Sequence, residues 1–264
     1  MSNTPKAIFL DIDGTLVNFD GGPFQDDLEA LKEAARLGHK LFLNSGRSFS
    51  NMQQHILDLP IWSGIAAGGG SHILIKKNGS KRAGYETIHH KWVNNETLTK
   101  ICAWYLKSSK SIVLEGENDC YVINPFIKNF FTPHVKIITS KDAFTNFYPD
   151  ELITKLTIDG KLSQEERGIL EDFFTINSFD NYTETVIKGE SKAKAMEIIL
   201  DAFNIKRENS IAMGDSINDI DMIRYAGMGI AVGNASAELK AAAAHITADC
   251  GKGGIALALK RFVL

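Results

Sequence analysis

Two carboxylates one residue apart, Asp11 and Asp13, close the apolar run Ala7-Ile8-Phe9-Leu10 and are followed by Gly14 and Thr15. A buried parallel strand reads as such a continuous apolar run, and open α/β sheets take their ligands beyond the carboxyl ends of their strands. An unpaired carboxylate is too costly to hide in a core. The pair is therefore expected at the mouth of a site, close enough to share a metal ion. An Asp-Gly turn with a neighbouring surface acid is the plainer explanation of this stretch alone, and other residues must decide.

Three other groups could join the pair. Ser45-Gly46-Arg47 offers a hydroxyl and an unobstructed amide able to hold an anionic oxygen. Lys192 supplies a point charge, and Gly214-Asp215-Ser216-Ile217-Asn218-Asp219 adds carboxylates and an amide. Phosphate monoesters resist attack because their oxygens repel nucleophiles. Their cleavage needs an activated nucleophile, neutralised oxygens and a proton for the departing alkoxide. Asp11 suits the nucleophile. Asp13, one strand period later, can face the same site and suits the acid that protonates the leaving oxygen and then the base that activates water. Asp11 and Asp215 are hard oxygen ligands of the kind Mg²⁺ takes. Asp219, four residues beyond Asp215, comes to the same side of a helical turn and is expected to orient waters or Lys192. Lys192 and the Asn218 amide would meet the phosphate. Gly14 would permit the turn after the acids and Thr15 would tie it down. For Arg47, a structural ion pair and a substrate contact stand equal.

The elements that must carry these groups alternate strand and helix at both ends of the chain. Strands are expected over 7–10, 40–43 and 65–67, with helices over 26–37 and about 49–57 between them. The last third repeats the pattern: helices over 192–203, 217–226, 235–243 and 253–262, strands over 210–213, 229–232 and 245–247. Such alternation predicts parallel βαβ units. The middle differs, with a helix over 93–106, strands 111–115 and 120–123 across a Gly116-Glu117-Asn118 turn, alternation over 152–158 and a helix over 163–174. The expected fold is α/β, a doubly wound parallel-sheet core formed by 1–84 and 185–264, with an α+β insert at 85–184.

In this order and architecture, Asp11-Ile12-Asp13-Gly14-Thr15, Ser45-Gly46-Arg47, Lys192 and Gly214-Asp215-Ser216-Ile217-Asn218-Asp219 resemble the haloacid dehalogenase superfamily of phosphatases. The closest likeness is to its Cof-like branch, which carries a large α/β cap between the second and third motifs. The run Asn218 to Gly227 and Gly233-Asn234-Ala235 are typical of that branch. The resemblance assigns Asp11 and Asp13 the same two catalytic roles. It places Ile12, Ser45, Gly46, Lys192 and Asn218 around the phosphate. For Mg²⁺ it implies Asp11, Asp215 and the backbone carbonyl of Asp13. Over the insert the likeness is only architectural. Cap residues such as Glu115, Glu117, Tyr121 and Lys155 are candidate substrate contacts, with no motif to fix them.

The expected activity is hydrolysis of a small phosphorylated metabolite, a sugar phosphate or a phosphorylated cofactor, through an aspartyl-phosphate. A phosphomutase or phosphotransferase using the same intermediate stays open, as does a non-catalytic phospho-acceptor or binding protein. The 264 residues, 44% of them hydrophobic, are ample for a core, and a net charge of -3 suggests no nucleic-acid partner. Cys102, Cys120 and Cys250 have no CxxC spacing and read as reduced core thiols. No leader and no apolar run approaching ~18 residues is found, so a cytoplasmic protein with no membrane association is expected; nothing bears on the oligomeric state. Gly68-Gly69-Gly70 lacks the helix of a dinucleotide site and should turn the chain beside the active site. His89-His90 reads as a solvated linker. Phe126, Phe130, Phe131, Trp104 and Tyr105 read as core of the insert.

Overall fold

The computed structural model describes residues 4–18, 21–77, 84–125 and 135–264. The elements in chain order are β1 (Ala7–Leu10), α1 (Gln25–Arg36), β2 (Lys40–Asn44), α2 (Gln54–Leu57), β3 (Trp62–Ala67), β4 (His72–Lys76) and β5 (Tyr85–His90). Next come α3 (Asn95–Tyr105), β6 (Ile112–Glu115), β7 (Cys120–Ile123), β8 (Val135–Ile137), α4 (Ala143–Asn146), β9 (Lys155–Asp159), α5 (Gln164–Leu170), β10 (Phe174–Ser178) and β11 (Tyr182–Ile187). The chain closes with α6 (Lys192–Ala202), β12 (Ser210–Gly214), α7 (Ile220–Tyr225), β13 (Met228–Ala231), α8 (Ala237–Ala242), β14 (His245–Ile246) and α9 (Gly254–Phe262). No helix among the described residues is long and apolar enough to cross a membrane.

Two compact units result: unit 1 takes 1–46, 53–89 and 191–264, and unit 2 takes 47–52 and 90–190. Among the described residues of unit 1 one sheet runs β14-β13-β12-β1-β2-β3-β4-β5. The strands from β14 to β3 are parallel and β4 is antiparallel to β3. From β1 the chain steps outward to β2 and β3, and later returns to the opposite side of β1 with β12. The crevice of a doubly wound sheet opens at that reversal, so β12, β1 and β2 are the strands placed to present a site. β1 is buried along its whole length, and Phe9 and Phe42 stack with centroids 4.9 Å apart beneath it.

Unit 2 is a sheet in the order β10-β11-β9-β6-β7-β8. Its apolar face, with Ile112, Leu114, Tyr121 and Leu156, packs on Leu98, Ile101 and Tyr105 of α3 and Leu170 of α5. Ser163 and Glu166 form a capping box that starts α5. Tyr105 is core as expected and donates to Glu166 at 3.0 Å, and Trp104 packs half-buried against the same cluster. Phe126, Phe130 and Phe131 lie outside the described residues.

Several element boundaries differ from the sequence expectation, each for a local reason. The helix expected over 49–57 is a 3-10 turn at Phe49–Asn51 and the short α2, separated because Met52 and Gln53 are extended. The helix expected over 217–226 likewise starts as a 3-10 turn, Ile217–Asp219. The helix expected to reach 174 stops at Leu170, because Phe174 opens β10, an outer strand paired with β11. β5 falls next to β4 in the unit 1 sheet, so 85–89 goes with the core, whereas 185–187 of β11 pairs within unit 2. Cys102, Cys120 and Cys250 are free and buried.

Candidate active site

Three adjacent strands end in the residues that the sequence singled out. Asp11 follows β1, Ser45 follows β2 and Asp215 follows β12. The Asp11 amide continues the sheet by donating to the Met213 carbonyl at 3.1 Å, which carries its side chain to the carboxyl ends. Gly14 turns the chain away at φ +80°, and a Cβ there would collide with the Asp215 carboxylate. The turn is held by Asn234, whose amide donates to the Gly14 carbonyl at 2.9 Å and whose oxygen accepts from the Cys250 N–H at 2.6 Å. Thr15 is buried and donates to Asp215 at 3.4 Å.

Lys192 reaches this point from the first turn of α6. Its ammonium donates to Asp11 Oδ1 at 2.7 Å and also to Asp219 Oδ1. The residues that aim it were largely missed from sequence. Asn44, the last residue of β2, donates to the Lys192 carbonyl at 3.0 Å, and Asp221 accepts from the Ala193 N–H at 3.1 Å. Ser191 caps the helix, and Gly70, the third of the glycine triplet, meets it so closely that a Cβ would strike the Ser191 carbonyl. The triplet thus turns the chain beside α6. Asp221 sits inside a motif already quoted, and Asn44 adjoins another; no local pattern marks either as a helix anchor.

Asp219 is fully buried and spends both oxygens, Oδ1 on Lys192 and Oδ2 on the N–H groups of Asp215 and Ser216 at 3.0 and 3.1 Å. Asp11, Asp215 and Asp219 each bring an oxygen within 4.8 Å of the others. Burial first, then the neighbouring acids, drives the Asp11 carboxyl well above the usual range, against the pull of Lys192. Burial and Asp219 push Asp215 up to about 7. Burial opposes the charge on Lys192, but Asp11 and Asp219 outweigh it and hold the ammonium above the usual lysine range. Three carboxylates facing one ammonium leave surplus negative charge in a buried place. That surplus, together with hard oxygen donors, fits a divalent cation.

The remaining candidates are placed as follows. Asp13, half-buried, bridges to Val17 in the same turn, and Ile12 is buried with its carbonyl accepting from Leu16 and Val17. Ser45 is buried, its backbone bonded to Ala66 and Gly69. The Asn218 carboxamide oxygen accepts from Ser216 at 2.7 Å. Arg47 begins the segment that belongs to unit 2 and donates to the Asn51 carbonyl at 3.0 Å. Glu115 and Tyr121 lie inside unit 2, at 0% and 1% exposure. Tyr121 packs against Phe144 and Tyr148 and donates to Glu151 at 2.9 Å. Glu115 accepts from Ser48, Asn51 and Thr157. Their polar atoms are already taken up by the protein itself. His90, expected in a solvated linker, is instead mostly buried beside Glu117, with Trp92 edge-on to its ring.

A family model of haloacid dehalogenase-like hydrolases matches residues 8–259. The chain therefore belongs to that family and is an enzyme of its hydrolase class. It is 25% identical to the 5-amino-6-(5-phospho-D-ribitylamino)uracil phosphatase YcsE of Bacillus subtilis, over 98% of this chain and 96% of that protein. The phosphatase YwtE of Bacillus subtilis, named for the same substrate, is 26% identical over 95% and 96%. A solved sugar phosphatase of subclass IIB superposes with a TM-score of 0.80 at 26% identity, over 97% of this chain and 98% of that one.

Proposed function

We propose that this enzyme is a Mg²⁺-dependent phosphatase that hydrolyses a small phosphorylated metabolite, a sugar phosphate or a phosphorylated cofactor precursor, in the cytoplasm. The observation that carries the reading is Asp11, buried at the end of β1 between Lys192 and a surplus of carboxylate. The substrates named for the relatives support the choice of metabolite class.

Asp11 and Asp215 would hold the cation, with the Asp13 carbonyl as a further ligand; Asp219, its oxygens already committed, orients Lys192 and the 215–216 backbone. Bound there, the cation supplies charge neutralisation for the phosphoryl oxygens. Lys192 holds Asp11 in place and balances the dianion, with Ser45, the Gly46 amide and Asn218 as further phosphate contacts. The Asp11 carboxylate attacks phosphorus, and the bond to the leaving oxygen breaks as that oxygen takes a proton from Asp13. A water, losing its proton to the Asp13 carboxylate, then attacks the phosphorus of the aspartyl-phosphate. The bond to Asp11 breaks and orthophosphate leaves. Release of orthophosphate from p-nitrophenyl phosphate and from a panel of phosphorylated metabolites tests this. An isomerised sugar phosphate in place of free phosphate would assign phosphotransfer, and no turnover of any ester would reject the reading.

A further inference from the structure

The segment 47–52 begins one residue after Ser45-Gly46 and yet belongs by its contacts to unit 2. Several of its hydrogen bonds gather at one strand end. Glu115, the last residue of β6, accepts from Ser48 Oγ at 3.0 Å, from the Ser48 N–H at 3.5 Å and from Asn51 Nδ2 at 3.1 Å, all on Oε2. Its other oxygen accepts from Thr157 at 2.7 Å and lies 3.8 Å from Lys155. Next to it, Ser50 donates to the Gly116 carbonyl at 2.8 Å. A carboxylate at 0% exposure is an expensive way to fasten a loop unless every lone pair is met, and here they are. Ordering this buried to half-buried segment incurs a conformational-entropy cost, which hydrogen bonds of this number oppose, so they confine the backbone that follows Gly46.

We infer that Glu115 is a positioning residue for the phosphate-binding loop Ser45-Gly46. By holding Ser48 and Asn51 it restricts the backbone two residues beyond the Gly46 amide and three beyond the Ser45 hydroxyl, the groups that would hold the phosphoryl group. This rests on the functional reading above. Because Ser45 and Gly46 would hold the phosphoryl oxygens before, during and after transfer, loosening them weakens ester and orthophosphate alike and leaves the chemical step largely intact.

The test compares wild type with Glu115→Ala, and with the double variant Ser48→Ala, Asn51→Ala. The double variant keeps Glu115 paired with Lys155 and Thr157 and so preserves the fold if the first does not. In both, deuterium uptake of peptides spanning 44–53 is expected to rise. KM for p-nitrophenyl phosphate and the inhibition constant of orthophosphate are expected to rise together by about tenfold, with kcat changed far less. Glu115→Gln, which keeps an acceptor for Ser48 and Asn51, is expected to restore most of both. Uptake that rises while KM and the inhibition constant stay put would reduce Glu115 to a structural brace and overturn the inference, as would unchanged uptake. Wild type that neither hydrolyses an ester nor binds orthophosphate would instead overturn the functional reading itself.

Discussion

Each unit buries carboxylates around a lysine, and the two clusters are balanced in opposite ways. In unit 1 Lys192 faces Asp11, Asp215 and Asp219, and burial with mutual repulsion drives Asp11 and Asp215 upward. In unit 2 Lys155 lies between Glu115 and Glu184, and Thr157, Asn51 and Ser48 add hydrogen bonds. Burial opposes the Glu115 charge, but Lys155 and those donors hold its carboxyl below the usual range. Residue types and burial are alike, so neither identifies a site. The balance of partners differs: three carboxylates face one ammonium in the first cluster, whereas in the second two face one, and Ser48, Asn51 and Thr157 also donate to Glu115.

Four substitutions can break or sharpen this contrast. Asp11→Asn should lower turnover at least about a thousandfold while circular dichroism and the unfolding midpoint stay near wild type; an unaffected rate rejects Asp11 as nucleophile. Lys192→Met should lower activity about a hundredfold and, by leaving buried carboxylates unpaired, stability by about 3–5 kcal/mol. Thermal unfolding with Mg²⁺ should show part of that loss recovered. Glu115→Ala should lower stability by about 1–3 kcal/mol, and Mg²⁺ should recover none of it beyond the gain seen in wild type. Recovery there would erase the distinction between the clusters. The smallest effect concerns Glu166. Burial opposes its charge, but Lys110, the Ser163 backbone and Tyr105 outweigh that and lower its pKa. Its contribution is full above the ordinary glutamate value of ~4.3 and fades as pH falls through the lower folded value. Glu166→Gln should therefore be less stable than wild type by about 1 kcal/mol near neutrality, and the gap should close in acid denaturation series.

The parts of the molecule legible in sequence are those where one local pattern decides. The apolar runs of β1, β2 and β12 end in acids or a hydroxyl residue, so strand, direction and site came together from the same few residues. α6 was legible from its amphipathic periodicity. The anchors of Lys192 were not, because Asn44 and Asp221 act across 148 and 28 residues, and nothing in either neighbourhood records the partner. Segment 47–52 was hidden for a similar reason. Its Ser and Asn residues look like any polar loop, and their partners Glu115 and Gly116 are distant in sequence. β10, at the sheet edge, and β11 beside it were missed because their mixed polar and apolar residues lack a strong apolar alternation.

The surplus of negative charge around Asp11 is tested most directly by metal dependence. Protein dialysed against EDTA should release no orthophosphate from p-nitrophenyl phosphate, and Mg²⁺ should restore release in wild type but not in Asp215→Asn. Full activity in the presence of EDTA, or equal restoration in Asp215→Asn, would contradict it.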